Sequence, residues 1–146
     1  MNRDQLCRTI VDNAPDAVIV GDRDGNILLW NAGAEAVFGF DAAEAMGRPM
    51  DLIIPENLRA RHWDGYRRTM ATGATKYGAK DLLAVPAVRK DGARISIEFS
   101  IVPLRDEAGA LAGVAAIIRD VTERWKREKA LKERVAALEG GKPAAG

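Results

Sequence analysis

"ARISIEFSIVPL", residues Ala93 to Leu104, is the stretch on which the fold turns. Ile95, Ile97, Phe99 and Ile101 fall on one side of an extended chain, and Arg94, Ser96, Glu98 and Ser100 on the other. A period of two marks a half-buried strand, apolar toward a core and polar toward solvent. The flanks reinforce this. "RKDGA" (89–93) and "RDEAGA" (105–110) are short turns, so the strand should pair antiparallel with "KYGAKDLLAVPAVRK" (76–90) before it and "LAGVAAIIRDV" (111–121) after it. Pro86 makes the first of these an imperfect strand.

Upstream, "AVIVGDRDGNILLWN" (17–31) sets two apolar runs around Asp24-Gly25, a strong hairpin signal. "AGAEAVFGF" (32–40) reads as a short helix closed by Gly39, and Asp41 to Met50 as helix broken by Gly47 and Pro49. Pro55 suits the start of a longer helix to about Ala71, with Gly73 just past its end. "DQLCRTIVDNA" (4–14) places Leu6, Cys7, Ile10 and Val11 at helical spacing, with Asp4 available as a cap. The order is two strands, several helices, then three strands. This predicts an α+β domain with a five-stranded antiparallel sheet and short helices on one face. Interrupted helices bury little surface alone, so they should lie across the sheet and wall a cavity.

From Thr122 the chain changes character. "TERWKREKALKERVAALE" (122–139) is charged and free of Gly or Pro, and predicts a coiled-coil-like helix. A heptad places Val121, Glu128 and Val135 at a, and Arg124, Leu131 and Leu138 at d, so only the second half is acceptably apolar. The expected organisation is a cap helix over 1–13, a central domain over 14–121, a C-terminal helix over 122–139, and a disordered tail over 140–146.

Composition narrows the function classes. The 146 residues suit one domain, and 22 basic against 21 acidic residues leave a charge of +1. No global field favours nucleic acid or an anionic membrane, and no apolar run approaches the ~20 residues needed to span a bilayer. The start lacks the pattern of a signal peptide, so a cytoplasmic protein is expected. The single cysteine, Cys7, is read as a buried structural thiol. "GDRDGN" (21–26) lacks the spaced ligands of a calcium loop and is a hairpin turn. There is no nucleophile elbow, phosphate loop or kinase signature, so no enzyme activity is expected.

Taken in order, "PDAVIVGDRDGNILLWNAGAEAVFGF" (15–40), "MGRPMDLIIPE" (46–56), "RKDGARISIEFSI" (89–101) and "GVAAIIRDVTER" (113–124) resemble a PAS domain of the sensory S-box type. The resemblance implies a sensor module with a hollow core, often dimeric, that binds a small cofactor and hands its signal through "RDVTER" (119–124) to a following helix. Within the family, "LIIPENLRARHWDGYRRTMATG" (52–73) is similar to the haem-binding PAS domains of oxygen-sensor kinases. There a proline-glutamate pair precedes an Arg-x-Arg-His whose histidine ligates iron, and Pro55-Glu56 precede Arg59-Ala60-Arg61-His62 here. The resemblance makes His62, the only histidine, the axial ligand of a haem b, with Arg61, Tyr66, Tyr77, Leu83, Phe99 and Ile101 around it.

Leu58, His62, Tyr66 and Met70 recur every four residues on one helix face, which fits an inward imidazole. Gly65 is read as room for a porphyrin, and Arg59, Arg61, Arg67 and Arg68 as partners for its propionates. Oxygen sensors of this group carry a distal arginine on the next strand. The matching place is about Leu83, with no arginine between Gly73 and Val88, which implies carbon monoxide or nitric oxide rather than a stable oxygen adduct. The alternative is a cofactor-free or small-ligand module, dimerising through its first and last helices, in which Trp63 fills the cavity. Flavin is a further alternative. Its photochemical form needs a cysteine by the cavity, which Cys7 does not offer; a non-covalent form would meet Trp30 and Asn31 at the cavity mouth, and for Trp30 core packing is the simpler reading.

Overall fold

The computed structural model describes residues 1–74 and 82–141. Helix α1 (Arg3–Asn13) leads into strand β1 (Ala17–Asp22) and strand β2 (Ile27–Trp30). Helices α2 (Ala32–Phe38) and α3 (Ala42–Ala45) follow, then single 3-10 turns at Met50–Ile53 and Glu56–Leu58, and helix α4 (Arg59–Thr72). Strands β3 (Leu83–Val88), β4 (Arg94–Arg105) and β5 (Leu111–Asp120) precede helix α5 (Thr122–Gly140). The strands form one antiparallel sheet in the order β2-β1-β5-β4-β3. The fold class read from the pattern is therefore the observed one. Pro86 is accommodated because β3 is the sheet's edge, where a missing N–H costs least.

Period two sends Ile95 and Ile97 into the core at 8% and 4% exposure, beside Ala17, Ile19 and Ile118. Phe38, Ile19 and Ile27 are the largest wholly buried side chains. Each contributes on the order of 2 kcal/mol of apolar burial. Trp30 packs against Phe38 at 5.6 Å between ring centroids and donates its indole N–H to Phe40 O, so it serves the core. Asn31, 3% exposed, caps α2 through Ala34 N, accepts from Val18 N, and donates to the Val11 and Asp16 carbonyls. One amide thus ties the exit of α1, the start of β1 and the start of α2.

Several local expectations are corrected. Asn2, not Asp4, caps α1, in a reciprocal box with Gln5 that satisfies two free N–H groups. Cys7 is exposed, not buried, because no residue of α1 is buried. Val121 is 9% exposed and belongs to the domain core rather than to a heptad seam. The long helix begins with a 3-10 turn after Pro55 and ends at Gly73 in the left-handed conformation (φ 69°). Of the C-terminal tail, Gly140 closes α5, and residues 142–146 lie outside the described residues.

Candidate functional site

Helix α4 presents a half-buried face made of Leu58, Arg59, His62, Trp63, Tyr66, Thr69 and Met70. The four-residue recurrence places His62 and Tyr66 on it as expected. Three contacts hold this face down. Tyr66 donates its hydroxyl to Asp22 O, and Trp63 its indole N–H to the Asp51 carboxylate. The Arg59 guanidinium donates to Ile54 O at 3.1 Å and Asp51 O at 3.3 Å. Arg59 is therefore committed to the turn that starts the helix, not held out toward an anion. Arg61, Arg67 and Arg68 are exposed, and Arg67 lies 4.0 Å from Asp64.

His62, Trp63 and Tyr66 form an aromatic cluster. His62 lies 4.8 Å from Trp63 and 5.8 Å from Tyr66, with Trp63 and Tyr66 5.6 Å apart. Two glycines of the β1–β2 hairpin receive it. A Cβ on Gly21 would stand 2.5 Å from Met50 Cε and 2.8 Å from the Tyr66 hydroxyl, and one on Gly25 would stand 2.0 Å from the Trp63 ring. Gly25 also has φ 83°, so glycine is required there twice over. The glycine singled out in the sequence, Gly65, has no such role: it is exposed and a Cβ there meets nothing within 4 Å.

Electrostatics at the cluster follow from burial. Desolvation lowers the His62 pKa, opposed by the Asp51 carboxylate, so the ring is neutral at neutral pH. Tyr66 is pushed up to about 12 by burial, with Asp22 and Asp24 adding to it. Within the described residues, His62 Nδ1 is a buried side-chain nitrogen without a hydrogen-bond partner. An orphaned polar atom of this kind costs about 1–3 kcal/mol unless something else satisfies it.

The floor beneath is the inner face of the sheet. Leu83 pairs with Phe99, Phe99 with Ile118, and Ile101 with Ala116, so Leu83, Phe99 and Ile101 share that face. The face is sealed near Ala17, Ile19 and Ile118, and only half-buried at Leu83, Phe99, Ile101, Val114 and Ala116. The structure thus brings Leu83, Phe99 and Ile101 together, and seats His62 with Tyr66 on α4. Tyr77 lies outside the described residues. Arg61 stands on the outer side of α4. Met50, Asp51, Gly21 and Gly25 were missed. The signal for them is the pair of glycines in "GDRDG" (21–25), together with the aromatic pair Trp63 and Tyr66 at i and i+3.

Two clefts among the described residues lie elsewhere. One of about 590 Å³ lies between β4, β5 and the first turns of α5, and one of about 400 Å³ is lined by Phe38, Gly39, Arg89, Lys90 and Asp91. No group of acidic, cysteine and histidine residues among the described residues is arranged to hold a metal by itself. No described helix is long and apolar enough to cross a membrane.

The family model described as the PAS fold matches residues 11–126. The chain belongs to the PAS family. A PAS domain is a sensory module of signal transduction, and relatives bear that out. The domain is 38% identical over 130 residues to an uncharacterized protein of Azorhizobium caulinodans, covering 88% of this chain and 17% of the relative. It is 30% identical over 131 residues to the sensor protein FixL of Bradyrhizobium diazoefficiens, covering 90% of this chain and 25% of that one. With the oxygen sensor protein DosP of Escherichia coli the identity is 22% over 127 residues, covering 87% and 15%. The chain thus spans a quarter or less of these relatives' length. Among solved structures, an RNA-binding light-oxygen-voltage receptor superposes with a TM-score of 0.74 at 24% identity, covering 92% of this chain and 37% of that one. A PAS domain from Colwellia psychrerythraea gives 0.72 at 24% identity, covering 84% and 99%. At that identity the likeness concerns the fold.

Proposed function

We propose that this PAS domain senses gas or redox state through a haem held by His62, and relays the change through α5. The observation that carries the reading is the His62 ring itself: neutral, half-buried, with Nδ1 enclosed and unpartnered, on the helix face turned toward the sheet. A neutral imidazole is what an iron ligand has to be. The half-buried floor of Leu83, Phe99 and Ile101 would supply apolar contact for a porphyrin. Similarity to FixL and to the oxygen sensor DosP supports the same reading. Bound haem supplies an iron centre that responds to diatomic gases or to electron transfer. The chain's own residues orient the imidazole through α4, which Tyr66, Trp63 and Arg59 fix to the hairpin and the preceding turn. Arg61 is the exposed cation nearest in sequence for a propionate. An absorbance titration with haem should give a Soret band that shifts in His62→Ala. A band of unaltered position and intensity in that variant sinks the assignment.

A second reading has its own support. Met50, Trp63 and Tyr66 already occupy the hairpin end of the space under α4. The domain would then be a cofactor-free or small-ligand interaction module, colourless after haem addition. Both readings include a homodimer through α1 and α5. Neither helix buries a residue, and Leu6 and Ile10 on one and Leu131, Val135 and Leu138 on the other are 45–67% exposed. A downstream signalling partner and a cytoplasmic setting belong to the same proposal.

A further inference from the structure

The outer face of the sheet carries a line of charges of alternating sign. Asp16, just before β1, accepts from Arg119 of β5 twice, Nε to Oδ1 at 3.3 Å and Nη2 to Oδ2 at 3.1 Å. Arg119 stands directly opposite Glu98 of β4 in the strand register. Glu98 accepts from Arg124 of α5 at 2.7 Å, and Arg124 Nε lies 3.8 Å from Glu128 one turn on. In the sequence, Glu98 falls on the solvent face, Arg119 and Arg124 close the 119–124 hinge, and Arg124 and Glu128 are polar heptad positions, with nothing to join them to one another or to Asp16.

Both ends of the line have mechanical meaning. At the N-terminal end, Asp16 moves only together with the segment it is packed in. Its carbonyl accepts from Asn31 Nδ2 at 3.0 Å and lies so close to Gly33 that a Cβ there would stand 2.1 Å away. At the C-terminal end, α5 is held by little else. Val121 N donates to Ser96 O at 2.8 Å, Ser96 N donates to Thr122 Oγ1 at 3.0 Å, and beyond them the helix buries no residue. Arg124–Glu98 is the contact that ties the body of the first turn to the sheet. Glu98 is the best shielded member, its side chain 19% exposed, so its pairs are screened least.

We propose that the line Asp16, Arg119, Glu98, Arg124, Glu128 couples the segment entering the domain to the direction of α5, by a route that bypasses the His62 site. A displacement of the chain ahead of β1 moves Asp16, and Arg119 then shifts relative to Glu98. Glu98 in turn changes its hold on Arg124. Arg119 feels both partners: its pKa is raised chiefly by the hydrogen bond to Asp16, and Glu98 adds to it.

Amide hydrogen exchange on the full 146-residue chain tests this. Glu98→Gln should speed exchange of the Trp125–Glu128 amides about two- to fivefold, the range such surface networks reach. The decisive variant is Asp16→Asn, which touches no atom of α5. It should speed the same amides in the same direction, and add little when combined with Glu98→Gln. About 1 M salt should loosen the unaltered chain likewise. Asp16→Asn that leaves those amides at the unaltered rate, while circular dichroism shows a folded protein, overturns the coupling. Repeating the pair in His62→Ala separates this outcome from the fate of the haem reading, because the ratio of rates should be unchanged there.

Discussion

Asn31 shows how much one side chain can organise. Its amide and carbonyl serve Val11, Asp16, Val18 and Ala34 while it is 3% exposed. Asn31→Ala leaves these groups dry and unpaired, at a cost of about 2–3 kcal/mol. Urea denaturation should show a lower midpoint with an unchanged slope; an unaltered midpoint would mean the groups find water. His62 gives a prediction in pH. Its folded pKa lies below the unfolded value, so the unfolded chain binds a proton first as pH falls. Stability is therefore unaffected well above pH ~6.5 and is lost as pH drops below it, toward the folded pKa. The melting temperature should fall from pH 7.5 to 5.5, and His62→Gln should flatten that slope. Tyr66 acts at the other end. Its folded pKa of about 12 exceeds the ordinary 10. The neutral hydroxyl's contribution is fully present below pH ~10 and lost as pH rises through about 12, a loss Tyr66→Phe should remove.

At the scale of elements, α1 and α5 differ from the rest. An isolated helix the length of α1 is marginal in water, and packing of its apolar side normally supplies the stability. Yet Leu6 and Ile10 remain exposed. The capping box at Asn2 and the tether from Asn31 to Val11 O hold its two ends, and in the proposed dimer a second copy covers its face. Leu131→Glu with Val135→Glu should therefore turn a dimer into a monomer in light scattering while leaving the far-ultraviolet spectrum of the sheet intact. A dimer of unaltered affinity would remove α5 from the interface. Helix α4 is the contrasting case. It is fixed not by a buried apolar stripe but by polar anchors to the hairpin and to the turn before it.

Across the whole molecule, stability is concentrated in the sheet and the α2–α3 side, where the sealed residues lie. A chain ending at Arg127 keeps Val121, Thr122 and Arg124 and loses no buried residue. Its thermal midpoint should fall by less than that of Asn31→Ala; a larger fall would show that α5 supports the core. The inner face opens gradually from Ile19 toward Ile101, so the domain pairs a sealed end with a half-open one beneath α4. In the proposed sensor that division lets a ligand enter without unfolding the floor.

Alternation in Ile95–Ile101, the Asp24-Gly25 turn and the short connectors determined the five strands, the pairing of those adjacent in sequence and the helix bounded by Pro55 and Gly73, because these rest on period and turn chemistry local to the chain, whereas the pairing of β1 with β5 came from the fold. Tertiary structure alone decided which glycine mattered. Gly21 and Gly25 receive Met50, Tyr66 and Trp63 from segments far along the chain, whereas Gly65 receives nothing. The same holds for Cys7, Arg59 and the line from Asp16 to Arg124, since burial and charge pairing depend on what a fold brings alongside, which no spacing within one segment encodes.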